Sequence, residues 1–133
     1  MKKFDHKSLE LKKDKKLVYT AMSKYLSYFK DHISKFVLGK GCVPLNPFNI
    51  PYFMLDTVNR DICREANNNL LKRADEVWVF GEVSNGVLAE IKIAKKMKKP
   101  INFFKIIKNK DIAKSSKKDI ILENDVRGFL KEI

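Results

Sequence analysis

Residues 74–94 read ADEVWVFGEVSNGVLAEIKIA, and their pattern decides the fold. Glu76-Val77-Trp78-Val79-Phe80 is a nearly continuous apolar run after Asp75. Such a run is expected of a central strand covered on both faces. Gly81 to Asn85 form a small polar turn. From Gly86 to Lys98 the apolar positions Val87, Ile91, Ala94 and Met97 recur at intervals of three and four, which predicts a helix with one apolar side.

The pattern of strand, turn and helix repeats on either side. Leu17-Val18-Tyr19-Thr20-Ala21 is a short β-prone run that reads as a first strand. Residues 24–38 place Tyr25, Leu26, Tyr28, Phe29, Ile33, Phe36 and Val37 at helical spacing, and Gly39 and Gly41 end that helix. Cys42 to Leu45 read as a second, short strand stopped by proline. Asn46-Pro47-Phe48-Asn49-Ile50-Pro51 cannot be regular structure, and Phe48, Tyr52, Phe53 and Met54 either plug the core or line a pocket. A second helix is expected from about Thr57 to Arg73. Ile101 to Phe104 form another buried strand after Pro100. Asp119 to Leu122 form a last strand or extended segment, with Asn124 and Asp125 capping a short final helix. Strands alternating with helices predict an α/β fold, a doubly wound parallel sheet of about five strands with helices on both faces. Ligands of such sheets bind at the carboxyl ends of the strands, near the switch in strand order.

The chain has 133 residues, the size of one domain, and 44% of them are hydrophobic, enough for a core. A basic arm over residues 1–16, with seven Lys against three acids, precedes a single domain over 17–133. No apolar run approaches the roughly 20 residues of a membrane span, and the N-terminus lacks the apolar stretch of a signal peptide. A cytoplasmic location without membrane attachment is the expectation. Cys42 and Cys63 fit no metal or redox spacing and read as reduced thiols, so no metal or cofactor is expected. The net charge of +12 attracts phosphates, but 24 of the 28 basic residues are Lys and no nucleic-acid motif accompanies them. A solvated Lys-rich surface is favoured over a nucleic-acid partner.

The turn into the third helix carries the chemistry. Free N–H groups at a helix N-terminus attract anions, and Ser84 adds a hydroxyl beside Asn85 and Gly86. Glu90 lies one helical turn further on and suits a nucleophile or base. The plainer alternative makes Ser84 or Asn85 an N-cap and Glu90 a solvent-facing helix residue. Arg60 and Arg64, one turn apart, either clamp a phosphate or pair with Asp56, Asp61 or Glu65 at the surface.

The blocks Ala74–Gly81, Ser84–Ile91, Ala94 and Lys99-Pro100-Ile101 resemble the nucleoside 2-deoxyribosyltransferase-like superfamily, which includes deoxynucleoside monophosphate N-glycosidases. The resemblance spans roughly residues 17–105. It runs closest to an uncharacterised branch with a Trp-Val-Phe-Gly strand and a Pro-rich loop, here Pro44 to Pro51, ahead of a helix containing an Arg, here Arg60.

It implies cleavage of the N-glycosidic bond of a nucleoside or nucleotide, by hydrolysis or transfer. Glu90 takes the place of the nucleophile, Ser84 matches a position that touches a 5′-phosphate, and Tyr19 contacts the sugar or the carboxylate. It also implies a homodimer or larger homo-oligomer. Two departures stand out. Asn67 occupies the position of an acid on the second helix, and an amide cannot deliver a proton. The Gly-rich turn after the first strand is absent, leaving Ser23 and Lys24 to meet a phosphate. A protein that binds or sequesters a nucleotide without turnover is the alternative.

Overall fold

The computed structural model describes residues 2–49 and 59–133. The expected aromatic stretch Tyr52 to Met54 and the start of the second helix at Thr57 lie outside the described residues. Eight principal elements follow in chain order: β1 (Leu17–Met22), α1 (Lys30–Gly39), β2 (Val43–Leu45), α2 (Arg60–Arg73), β3 (Glu76–Phe80), α3 (Asn85–Lys96), β4 (Ile101–Ile107) and β5 (Asp111–Ser115).

The sheet order is β2-β1-β3-β4-β5. β1 pairs in parallel with both β2 and β3, and β3 in parallel with β4. The chain therefore winds outward from β1 in both directions, and the switch in strand order falls between β1 and β3.

The apolar runs form the three inner strands because each is covered on both faces. On one face Val18, Met22, Trp78, Phe80 and Phe104 pack with Phe29, Ile33 and Val37 of the first helical segment. On the other face Tyr19, Ala21, Val77 and Val79 pack with Leu71 of α2 and Val87, Ile91 and Ala94 of α3. Trp78, mid-strand, is buried, and its indole N–H donates to Glu76 Oε1 at 3.0 Å.

Several expectations need correction. The fifth strand is Asp111–Ser115, and it runs antiparallel to β4 in a hairpin. Asp119 ends a 3-10 turn over Lys117–Asp119, and residues 120–122 take the extended alternative, a strap whose Leu122 makes a single parallel bridge to Val83. The first helix begins as a 3-10 segment over Lys24–Phe29, with Tyr25 and Tyr28 exposed rather than on the apolar face. The last helix is a 3-10 segment over Asn124–Glu132, kinked at Phe129, and no side chain caps it.

The strap is held by backbone and side chains together. Val83 N–H donates to Ile121 O and Glu123 N–H to Val83 O, both at 2.9 Å. Leu122, Val126 and Ile133 are buried in the α3 face of the core. Residues 2–16 are exposed throughout.

Candidate active site

Two turns of the chain meet above the carboxyl edge of the sheet. β1 ends at Met22, where Ser23 leads into the 3-10 segment and its Oγ accepts from Tyr25 N–H at 3.4 Å. β3 ends at Phe80, and Gly81 turns the chain with φ of +73°, a conformation that favours glycine. Ser84 then starts α3, its Oγ accepting from Val87 N–H at 3.2 Å. Ser84 is thus an N-cap, as the plainer reading holds, with Asn85 and Gly86 exposed on the first turn.

A cleft of about 1040 Å³ opens over this edge. Ser23, Lys24, Arg60, Asn67, Ser84, Asn85, Gly86 and Glu90 all line it. Tyr19 reaches the same place from beneath, being wholly buried in β1 with its hydroxyl donating to Glu90 Oε2. The structure therefore brings Ser23, Lys24, Arg60, Asn67, Ser84, Asn85, Gly86 and Glu90 to one cavity, with Tyr19 joined to it through Glu90. Arg64 also lines it while pairing with Asp61 at 2.8 Å, so the expected surface ion pair and the cleft position coexist. Asp75 plays a framework part, its Oδ2 accepting from Leu17 N–H at 2.8 Å and tying β3 to β1.

Glu90 does not face bulk solvent. It is half-buried on the inner side of α3, between the cleft and Tyr19. Burial pushes its carboxyl up to about 7, and the Tyr19 hydroxyl partly offsets this by hydrogen bonding to the charged form. Burial first, and then the adjacent carboxylate, push the Tyr19 phenol far above its ordinary range. Tyr19 is therefore a fixed donor, and Glu90 is the group that titrates near neutrality. A carboxyl poised there, in a cleft, has the chemistry of a nucleophile or base.

On the α2 wall, Asn67 keeps Oδ1 buried without a hydrogen-bond partner among the described residues. The opposite wall was not foreseen. It is the C-terminal strap, which brings Glu123, Asp125 and Arg127 to the cleft beside Glu82. No local pattern marks these residues, because the strap returns to the α3 N-terminus only through a long-range backbone bridge. A smaller cavity of about 320 Å³ adjoins the cleft, sharing Ser23, Tyr25, Glu82, Ile121 and Glu123 with it. Among the described residues no group of His, Cys, Asp and Glu could hold a metal ion.

A family model described as a domain of unknown function, DUF7768, matches residues 19–104. The chain belongs to that family. The matched span of this DUF7768 member runs from β1 through most of β4 and includes Tyr19, Asn67, Ser84 and Glu90, whereas the strap lies beyond it. No curated protein matches the chain. Among solved structures, a 2-deoxyribosyltransferase from the psychrotolerant bacterium Bacillus psychrosaccharolyticus aligns with a TM-score of 0.52 and 15% identity, over 68% of this chain and 76% of that one. At that identity the likeness establishes a shared α/β fold.

Proposed function

We propose that this protein cleaves the N-glycosidic bond of a nucleoside or nucleotide, as a hydrolase or transferase, with Glu90 as the nucleophile. The observation that supports this most is the placement of Glu90. It sits in the cleft at the switch point, held by Tyr19 and titrating near neutrality. The carboxylate would add to the anomeric carbon, and water or a second base would resolve the glycosyl-enzyme. Ser84, Asn85 and Gly86 at the α3 N-terminus, with Ser23, Lys24 and Arg60 around the rim, give an anionic substituent on the sugar a place to bind. A homodimer or larger assembly and a cytoplasmic setting belong to the same reading. No described helix is long and apolar enough to cross a membrane.

Base release from a panel of nucleosides and 5′-monophosphates tests the proposal. Glu90→Ala should reduce release by at least about 10³-fold while ligand affinity changes little, because the covalent step needs the carboxylate and the phosphate contacts do not. Ser84→Ala should weaken monophosphates more than nucleosides. Release that survives Glu90→Ala would refute the assignment. The amide at Asn67 favours a second reading, a nucleotide-binding protein without turnover. Measurable binding with no release from any ligand would select it.

A further inference from the structure

We propose that the amino edge of the sheet, opposite the cleft, is a docking surface for the phosphate backbone of a nucleic-acid duplex. This does not depend on the reading of Glu90 as nucleophile.

The basic residues are spread along the sequence, and the fold gathers them. Helices that return between parallel strands end where the strands begin, so the ends of α1, α2 and α3 share one edge with the starts of β1 and β3. Backbone hydrogen bonds tie these points together. Val43 N–H donates to Lys16 O at 2.8 Å, Asp75 N–H to Leu17 O at 2.7 Å and Val77 N–H to Pro100 O at 3.0 Å. Lys40 follows α1, and Lys72 and Arg73 close α2. Lys95 and Lys96 close α3, and Lys98 and Lys99 come directly after it. The basic arm enters the same edge where Lys16 leads into β1. Counted with the Lys92–Glu132 pair beside it, the edge and the arm carry 15 basic residues against six acidic ones, a net +9 of the chain's +12.

The two acids of the folded edge are engaged in the frame. Asp75 Oδ2 accepts from Leu17 N–H, and Glu76 accepts from Lys16 at 2.8 Å and from the Trp78 and Asn102 side chains. Some of the cations are engaged as well. Lys99 Nζ donates to Lys72 O at 3.0 Å, Arg73 bonds back to Asn69, Lys95 reaches Glu132 O, and Lys40 lies over the Phe36 ring. Lys72, Lys96 and Lys98 are exposed, and among the described residues no hydrogen bond or ion pair holds their ammonium groups. The helix dipole favours cations in a last turn, which accounts for Lys72 and Lys96. It does not call for Lys98, beyond the helix, or for the arm.

Charges gathered within about a Debye length of one another reinforce each other toward a polyanion. Lysine ammonium groups are point charges that suit phosphates and read no base edges. The folded edge presents no exposed aromatic ring among the described residues, since Phe4 lies in the arm. It therefore lacks the stacking platform that single strands use, and it matches a duplex backbone.

The test is fluorescence anisotropy of the full chain with labelled DNA and RNA duplexes of about 20 base pairs, beside sedimentation with phosphatidylserine vesicles. Affinity for a duplex should fall by about 10²-fold or more between about 50 and 200 mM salt. Lys72→Gln, Lys96→Gln and Lys98→Gln together should weaken binding by at least about 10-fold and reduce the log–log salt slope by about 2–3. The same charge removed from the β4–β5 hairpin, by Lys108→Gln, Lys110→Gln and Lys114→Gln, should change affinity by less than about threefold. Thermal melting establishes that both variants are folded. Either duplex behaving in this way supports the surface, and the tighter of the two names its source. Equal losses in the two triple variants would show diffuse charge attraction and overturn the inference. Binding to neither duplex at the lower salt overturns it too, as does binding to the vesicles alone.

Discussion

At the residue scale the protein turns on one pair, the Tyr19 hydroxyl and the Glu90 carboxylate. Burial raises the carboxyl and the hydrogen bond lowers it, and burial wins, leaving Glu90 at about 7. A nucleophile must be ionised, so the rate of base release should rise with pH through about 7 and level off above it. Tyr19→Phe removes the group that favours the charged form. The rising limb should then move to higher pH, by on the order of one unit, as read from the pH profile of kcat/KM. An unchanged profile in Tyr19→Phe would mean that the hydroxyl does not govern the carboxylate.

At the scale of elements, the turn from β3 to α3 sets where Ser84 and Glu90 stand. Gly81 adopts φ of +73°, and a Cβ there would come within 2.8 Å of Leu26 Cδ1. The Leu26 tip can move, so most of the cost of Gly81→Ala is backbone strain, about 1–2 kcal/mol, measurable by denaturant unfolding. This turn was legible in the sequence because a buried strand, a glycine and a capping serine follow one another. β1, β3 and β4 were legible for a related reason: strands covered on both faces leave short unbroken apolar runs. β5 was not, because Asp111-Ile112-Ala113-Lys114-Ser115 is an edge strand that keeps its charges and pairs through a hairpin. The richer apolar run Ile120-Ile121-Leu122 looked more like a strand, yet it pairs only with Val83. Tyr19, Asn67, Ser84 and Glu90 were readable from local pattern and family likeness. Glu123, Asp125 and Arg127 were not, since their place in the cleft depends on that one bridge.

For the molecule as a whole, the carboxyl in the cleft couples folding to pH. The folded pKa of Glu90, about 7, lies above the ordinary carboxyl value of 4.5. The folded state therefore binds this proton more tightly than the unfolded chain. That contribution is complete below pH 4.5 and is lost as pH rises to about 7. The loss amounts to on the order of 3 kcal/mol. Glu90→Gln carries no titrating group, so its stability should fall less than the wild type's between pH 5 and pH 8, in parallel urea titrations. Equal pH dependence in both proteins would show that Glu90 is not held in a raised state. The +12 charge of the whole chain bears on phosphate attraction and not on this balance, because charges on the solvated surface are screened within about a Debye length.

The central claim is a covalent bond to Glu90, and intact-protein mass spectrometry measures it directly. The protein is incubated with a 2-fluoro-substituted nucleotide, whose fluorine slows resolution of the intermediate, and is then digested and mapped. The account predicts one added glycosyl group on the peptide carrying Glu90, absent in Glu90→Gln. Base released without any adduct at Glu90, or an adduct that persists in Glu90→Gln, would contradict it.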